Sequence, residues 1–260
     1  MNWKKTAIIA IDAVLAVYLL LAITAFNKPE GKGMVCNKVK IDIKDGIVDG
    51  FLNVDEIKSI LVKHKIYPLA KPMESIDIRL IEETLCSSPF VNDAQCYKTQ
   101  SGHVCIELTQ RMPIVRIKAA NGDDYYIDSH GGVMPNVKYC SDIIIATGNI
   151  SRKYAQKVLT MVGNIVLADK FWQNQIVQMN VLDDGTLEVV PRVGEHIVYL
   201  GEPTEIREKL SRLEKFYKYG LSQAGWNKYS YINVAFDNQI ICKKKQQNNS
   251  INKMPLNTRA

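Results

Sequence analysis

The sequence predicts an α+β protein with an N-terminal transmembrane helix, a small β-α-α-β-β domain and a strand-rich β domain with two helices. Three observations lead to this prediction: one long apolar run near the amino terminus, amphipathic helices and a hairpin within residues 38–112, and short alternating strands from residue 113 onwards. The chain is 23% charged and 47% hydrophobic, which is typical of globular domains.

The apolar run is TAIIAIDAVLAVYLLLAITAF, residues 6–26. At about 1.5 Å per helical residue it extends roughly 30 Å, the thickness of a bilayer core. A secretory signal has a shorter apolar stretch, of about 7 to 15 residues, and a small-residue cleavage site. We therefore predict an uncleaved transmembrane anchor that follows a short cytoplasmic tail, residues 1–5.

Charge does not settle the orientation of this helix. Two lysines precede it and four follow closely, so the positive-inside count points weakly to an external amino terminus. Large domains translocate largely regardless of charge, and the leading tail is very short, so we place the later domains outside the cytoplasm. Asp12 inside the run either contacts another transmembrane helix or lies near enough to the headgroups to be tolerated.

The first domain follows a Gly/Pro-containing linker, residues 27–37. Its strand KVKIDIK precedes a helix with a capping box formed by Asn53 and Glu56. A second helix is predicted to begin at Ser75, and Pro89 blocks its continuation. The segments FVNDAQCYK and HVCIELTQR then form a hairpin around TQSG.

The second domain, residues 113–245, contains the strands IVRIKA, DYYIDS, QIVQMNVL, TLEVVP, HIVYLG and YINVAF. Its two helices are predicted to be capped at Ser151 and Thr204. Residues 246–260 have too little apolar content to pack, and we expect them to be disordered.

The residues offer no catalytic or metal-binding motif. The segment DSHGG, residues 128–132, is similar to an esterase oxyanion loop, but no nucleophile elbow accompanies it, so its glycines are assigned to a tight turn. The net charge of +6 is spread along the chain, which gives little support for nucleic-acid binding. We predict no cofactor, no metal and no small-molecule substrate, and no residues are nominated as a catalytic acid/base pair. Four histidines lack a partner at ligand spacing: His64, His103, His130 and His196.

Six cysteines are present, and none forms a C-x-x-C pair. Cys96 and Cys105 are placed either opposite each other across the first-domain hairpin, where a disulfide could form, or as buried free thiols.

The order of these segments resembles the FtsQ/DivIB family of bacterial cell-division proteins. The segment IDIRLIEETLCSSPFVNDAQCYKTQSGHVCIELTQRMPIVRI is similar to the helix, hairpin and exit of a POTRA domain, and YYIDSHGGVMP is similar to the family's D-x-x-G turn. The segments IVYLG and SYINVAFDNQIICKK continue the resemblance in the family's order.

This resemblance implies a single-pass protein of the cell inner membrane, with periplasmic POTRA and β domains, located at the division septum. It also implies a non-catalytic divisome scaffold that links FtsB-like and FtsL-like partners to septal peptidoglycan synthesis. The alternatives are a POTRA-bearing component of outer-membrane assembly or secretion, and a membrane-tethered hydrolase with an unrecognised site.

The segment AFDNQIICKKK is predicted to form a terminal hairpin around Asp237 and Asn238. Four pairs define this register: Phe236 with Gln239, Ala235 with Ile240, Val234 with Ile241, and Asn233 with Cys242. The register turns Ile241 inward, and Ile240 and Cys242 outward.

An edge strand exposes unpaired backbone groups, and the lysines that follow it either guard that edge or steer an acidic partner towards it. The resemblance favours the second reading, in which the strand edge accepts an FtsB-like strand. The predicted partner-binding residues are Asn238, Gln239, Ile240, Ile241, Cys242 and Lys243.

Overall fold

The computed structural model describes residues 3–26, 33–44, 52–136 and 143–245. The chain divides into two compact units, Met1–Gln110 and Arg111–Ala260, and each contains its own hydrophobic core. Most of the predicted linker and the whole of the tail predicted to be disordered lie outside the described residues.

The amino-terminal apolar run is helical, as predicted, and forms α1, Trp3–Phe26. Within the described part of the chain, no helix combines the length and the apolar content that a membrane crossing requires.

The remainder of the first unit has the predicted β-α-α-β-β order. Its elements are β1 (Lys38–Ile43), α2 (Val54–Lys63), a 3-10 turn (Met73–Ser75), α3 (Ile78–Cys86), β2 (Val91–Lys98) and β3 (His103–Gln110). The sheet order is β1-β3-β2, in which β1 is parallel and β2 antiparallel to the central strand. The buried side chains of α2 and α3, including Ile57, Leu61, Ile81 and Leu85, pack with the inward residues of β2 and β3.

The predicted cap of α2 is confirmed, whereas the predicted start of α3 is wrong. The Asn53 side chain accepts the Glu56 N–H at 2.8 Å, and the Glu56 carboxylate accepts the Asn53 N–H at 3.2 Å. The α3 helix is capped by Asp77, which accepts the Leu80 N–H at 3.1 Å. The predicted start at Ser75 is wrong because Ser75 belongs to the preceding 3-10 turn and its hydroxyl bonds the Pro72 carbonyl.

Residues 34–36 are hydrogen bonded into the first unit. The Cys36 N–H donates to Lys71 O at 2.9 Å, and Cys36 O accepts the Ala70 N–H at 2.8 Å. The Met73 N–H donates to Met34 O at 2.8 Å, next to a bridge between Val35 and Pro72. The chain is therefore fixed to this unit before β1 begins.

The second unit is built on a nine-stranded sheet with the order β12-β11-β10-β9-β8-β7-β4-β5-β6. Its strands are β4 (Pro113–Ala119), β5 (Asp124–Asp128), β6 (Val133–Pro135), β7 (Ile144–Gly148), β8 (Ile176–Val181), β9 (Leu187–Pro191), β10 (Ile197–Gly201), β11 (Tyr229–Asn233) and β12 (Ile241–Lys244). The pairs β4/β7, β7/β8 and β10/β11 are parallel, and the others are antiparallel.

Helices cover one face of this sheet. They are α4 (Arg152–Tyr154), a π-helical turn (Ala155–Leu159), α5 (Thr160–Leu167), α6 (Lys170–Gln175), α7 (Ile206–Phe216), a second π-helical turn (Tyr217–Leu221) and α8 (Ser222–Ala224). Their buried side chains, including Leu159, Val162, Leu210 and Leu213, pack against inward strand residues such as Ile117, Met179, Val198 and Ile232.

The Ser151 cap is confirmed, because its hydroxyl accepts the Tyr154 N–H at 3.2 Å. The predicted cap at Thr204 is wrong. Glu205 precedes the first turn of α7 with φ +52, and its side chain makes no capping hydrogen bond. Positive φ is uncommon for a residue with a side chain, so the chain enters α7 through a turn that the sequence does not signal.

Candidate functional site

The exposed edge at β12 is where the predicted partner-binding residues lie. The strand is the last in the sheet order, and only β11 pairs with it within the described residues. The observed register pairs Asn233 with Ile241, Ile232 with Cys242, and Tyr231 with Lys243. A β-bulge follows on β11, so Lys244 pairs with Tyr229.

The predicted register is wrong by one residue, and the connection between the strands is longer than a tight turn. Residues 234–240 form a loop in which Asn238 has φ +58. The backbone groups of Val234, which a tight hairpin would pair with Ile241, are bound elsewhere, and the Val234 carbonyl oxygen accepts Arg212 Nη2 at 3.0 Å. The Val234 N–H donates to Tyr199 O on β10 at 3.0 Å.

This shift reverses the predicted faces of the strand. The Ile241 side chain is 50% exposed, whereas Ile240 and Cys242 are half-buried and pack against the core of the second unit. Burial also raises the pKa of the Cys242 thiol. Ile241 is therefore the apolar residue that this edge presents to solvent.

One hydrogen bond shows which backbone groups of β12 point away from the sheet. The Lys245 N–H donates to Lys228 O on the β11 side at 3.0 Å. Alternate residues of a strand direct their N–H and C=O groups to the same side, and the bulge lies on β11 and leaves this alternation on β12 intact. Lys243 therefore faces β11, while Cys242 and Lys244 direct their backbone groups away from the sheet.

The six predicted residues fall into two groups. Asn238 and Gln239 are exposed in the connecting loop, and Ile240 ends that loop against the core. Only Ile241, Cys242 and Lys243 lie on the strand itself.

A basic cluster, defined by Lys228, Lys243, Lys244 and Lys245, lies at the end of this edge. Lys245 forms an ion pair with Glu195, and Lys228 Nζ lies 5.8 Å from the centre of the Tyr229 ring. Lys243 and Lys244 are exposed and form no ion pair within the described residues. The edge therefore carries excess positive charge beside an exposed isoleucine.

Two cations of α7, Lys209 and Arg212, bind backbone carbonyl groups, and neither role was predicted. The Lys209 side chain is buried, with Nζ donating to Glu202 O at 2.8 Å, and burial lowers its pKa. Arg212 bonds Val234 O, and its Nη1 lies 3.8 Å from Asp237 Oδ1. Of these two residues, only Lys209 could have been recognised from the sequence, because it lies within the apolar stripe that includes Leu210 and Leu213.

The open face of the sheet beside β12 is polar and internally bonded. Tyr231 donates from its hydroxyl to Glu188 Oε1 at 3.1 Å, and Asn180 Nδ2 donates to Glu188 Oε2 at 3.2 Å. Thr147 continues the chain of bonds from its hydroxyl to Asn180 Oδ1 at 3.2 Å. Burial, followed by the Glu188 contact, raises the pKa of Tyr231 to about 12. These contacts orient side chains across adjacent strands.

The DSHGG segment forms a tight turn, as predicted. The buried Asp128 side chain accepts the His130 and Gly132 N–H groups at 2.8 and 2.7 Å, and Arg111 Nε lies 3.3 Å away. Gly131 has φ +81, which glycine adopts readily. The described residues contain no group of three or more His, Cys, Asp or Glu side chains placed to hold a metal ion.

Comparison with known families agrees with this architecture. Residues 34–109 match a POTRA-like domain, and residues 112–243 match the domain described as FtsQ/DivIB, C-terminal related. No curated protein gives a significant match to the chain. The second match covers just over half of the 260 residues, and the chain therefore belongs to the FtsQ/DivIB family.

Proposed function

We propose that this protein is a non-catalytic scaffold of the cell-division machinery, anchored in the cytoplasmic membrane by α1. Support for the anchor comes from the apolar sequence of residues 6–26 and from the exposed apolar side chains of α1. Those large side chains are Ile9, Ile11, Val14, Leu15, Val17, Tyr18, Leu19, Leu20 and Leu21. Such a surface is stabilised when lipid or another apolar helix covers it.

Both folded units lie outside the cytoplasm in this proposal. An enzyme reporter that is active only outside the cytoplasm, fused after Ala260, should be active in cells. A silent fusion that is expressed at normal levels would contradict the topology. A fluorescent fusion should form a ring at midcell, whereas a uniform envelope signal would favour outer-membrane assembly or secretion.

The β12 edge is proposed to accept an extended segment of an FtsB-like partner, which connects the protein, together with an FtsL-like partner, to septal peptidoglycan synthesis. The observation that carries this proposal is a terminal strand whose outer edge is unpaired within the described residues and presents Ile241. Backbone groups of Cys242 and Lys244 supply the hydrogen bonds of an added strand, and the basic cluster favours an acidic partner.

The test is the variant Ile241→Glu, because its side chain is exposed and the substitution places a negative charge against an acidic, apolar partner. Ile240→Glu is unsuitable because Ile240 packs against the core. Ile145→Glu is the matched control, since Ile145 is an exposed isoleucine on β7, five strands away in the same sheet. We expect Ile241→Glu to weaken capture of the FtsB-like partner about tenfold or more, and Ile145→Glu to leave it unchanged. Unchanged capture by a folded Ile241→Glu protein would place the binding site elsewhere.

The first unit is proposed to recruit the protein to the division site. Deletion of residues 36–112, with α1 and the second unit retained, should abolish the midcell ring. A normal ring in the deletion variant would show that this unit acts only as a spacer.

A further inference from the structure

The sheet of the first unit has two outer strands, and the outer edge of β2 is blocked. The Thr99 N–H donates to His103 O at 2.9 Å, so the alternating backbone groups of Cys96 and Lys98 point away from β3. The Cys96 N–H donates to the Glu82 carboxylate of α3 at 2.7 Å. The Lys98 ammonium group is bound to Met73 O in the 3-10 turn. Side-chain contacts therefore protect this edge from a further strand.

The outer edge of β1 is open, and the direction of its backbone groups is again given by one hydrogen bond. The Lys44 N–H donates to Leu108 O at 3.0 Å, so Lys40 and Asp42 direct their backbone groups towards β3. Val39, Ile41 and Ile43 consequently direct their N–H and C=O groups outward. No strand pairs with them in the part of the chain that the structure describes.

The side chains of β1 indicate which segment would fit. Val39, Ile41 and Ile43 are half-buried against the core of the first unit, which leaves apolar surface at the edge. Lys38 and Lys40 are exposed on the opposite face. Added apolar residues would cover the first set, and added carboxylates would face the two lysines.

Two carboxylates lie on that face, Asp42 on β1 itself and Glu107 opposite it on β3, and Glu107 is already engaged. Glu107 accepts a bond from the Tyr97 hydroxyl at 2.9 Å and forms a 2.6 Å ion pair with Lys44. These hydrogen bonds, that of Lys44 first, lower the pKa of Glu107. Lys38 and Lys40 form no ion pair with Asp42 or Glu107 within the described residues, so both lysines can meet acidic side chains of a partner.

We propose that the β1 edge, defined by the backbone of Val39, Ile41 and Ile43 and the side chains of Lys38 and Lys40, binds an extended protein segment of alternating apolar and acidic residues. Such a segment would extend the sheet by one strand. This goes beyond the proposed function at β12, because it assigns a second strand-binding edge to the other folded unit.

The test uses the full-length chain in detergent and a fluorescent synthetic peptide of alternating glutamate and valine. We expect saturable binding that slows hydrogen exchange at the Val39, Ile41 and Ile43 amides. The amides of Lys40 and Asp42 face β3, so their exchange should change less. A peptide with lysine in place of every glutamate should not bind.

Reversing the charge of the two lysines tests whether the peptide binds at the β1 edge. The double variant Lys38→Glu/Lys40→Glu should weaken binding about tenfold or more, because it sets like charges opposite each other. Lys58→Glu/Lys63→Glu is the matched control, since it makes the same change in net charge at exposed positions of α2. Both double variants should keep the wild-type thermal unfolding midpoint.

The two strand-binding edges can be distinguished by repeating the titration with Ile241→Glu, which affects β12 alone. Peptide binding and protection of β1 should persist in that variant. The proposal for β1 is overturned by an absence of peptide binding, by equal affinity in the Lys38→Glu/Lys40→Glu variant, or by protection confined to β12. None of these three outcomes contradicts partner capture at β12.

Discussion

Arg212 on α7 donates a 3.0 Å hydrogen bond from Nη2 to the carbonyl oxygen of Val234, the residue at which the chain leaves β11. The same guanidinium group lies 3.8 Å from the Asp237 carboxylate through Nη1. The loop between β11 and β12 is therefore fixed to a helix whose apolar side is part of the core. The position of the proposed binding edge depends on this contact.

Replacement of Arg212 by methionine should loosen the loop and the edge strand together. Loss of the charged donor leaves a buried carbonyl group without its hydrogen bond, which lowers the free energy of unfolding by about 1–3 kcal/mol. We expect faster hydrogen exchange at the amides of Ile241 and Lys243, which face β11. Arg207→Met is the control, because Arg207 is an exposed arginine on the same helix. Equal exchange in both variants would mean that other contacts hold the loop.

Gly132 should not tolerate a side chain, because an added Cβ would lie 2.5 Å from Asp128 Oδ2 and 3.1 Å from Arg111 Nη1. Overpacking of this kind costs about 1–3 kcal/mol, so Gly132→Ala should lower the free energy of unfolding of the second unit by that amount. The measurement is urea denaturation followed by the fluorescence of Trp172 and Trp226.

The same substitution in an Asp128→Ala background separates the steric effect from other causes. With the carboxylate removed, the added methyl group has more space, and the further cost of Gly132→Ala should fall to less than half. An equal cost in both backgrounds would assign the effect to the backbone at Gly132 rather than to the contact with Asp128.

The strands that the sequence predicts well are those with a regular alternation of their own. Both strands of the first-unit hairpin form where they are predicted. Buried residues alternate with less buried ones along all of β3, whereas in β2 the alternation is interrupted by a bulge after Val91. The short strands β6 and β7 and the helix α6 were not predicted. Elements of three to six residues offer too few repeats to establish a period.

The faces of β12 could not be predicted because distant residues set its register. A two-residue turn at Asp237 and Asn238 is the local expectation, but Arg212 binds Val234 O and the Val234 N–H donates to Tyr199 O. Both contacts occupy backbone groups of Val234 that the expected hairpin would pair with Ile241, and the shift of one residue exposes Ile241 instead of Ile240. Likewise, no local sequence pattern predicts that the Glu82 carboxylate on α3 binds the Cys96 N–H and blocks the edge of β2.

The cysteines should differ widely in reactivity. The observed register pairs Cys105 with Tyr97 and Cys96 with Ile106, so Cys96 and Cys105 point to opposite faces and both are free thiols. Burial raises the pKa of the Cys96 thiol to about 12, whereas Cys86 is exposed. In a Cys140→Ser background at pH 8, a thiol reagent should modify Cys86 first and Cys96 only after unfolding.

Mass spectrometry of the modified protein checks this order residue by residue. The additional change Cys86→Ser should remove the fastest phase and leave the slow phase at Cys96 intact. Rapid native-state modification of Cys96 would show that α3 and β2 open more readily than their packing indicates.

His196 should make the second unit less stable in acid. Its ring is buried, with Nε2 2.7 Å from the Tyr217 hydroxyl, and Nδ1 has no hydrogen-bond partner within the described residues. Burial lowers the pKa of His196, and the nearby Trp226 backbone opposes this shift without reaching good hydrogen-bond geometry.

The sign of the pH effect follows from this lowered pKa. Below about pH 6.5 the unfolded chain binds a proton at His196 that the folded chain does not bind, so stability declines as the pH falls towards the folded pKa. The slope contributed by one such histidine is at most about 1.4 kcal/mol per pH unit. Urea denaturation from pH 7.5 to pH 5, followed by the fluorescence of Trp172 and Trp226, measures it.

His196→Gln should flatten this pH dependence, because glutamine can still bond the Tyr217 hydroxyl but does not titrate. His64→Gln is the control, since His64 is exposed and belongs to the first unit. It should leave the slope of the second unit unchanged. The tryptophans report the relevant unit directly, because Trp172 and Trp226 both pack against Tyr217, with ring centres 5.8 and 5.1 Å from it. A steep acid slope that survives in His196→Gln would assign the effect to carboxylates, whose native contacts are lost at a lower pH.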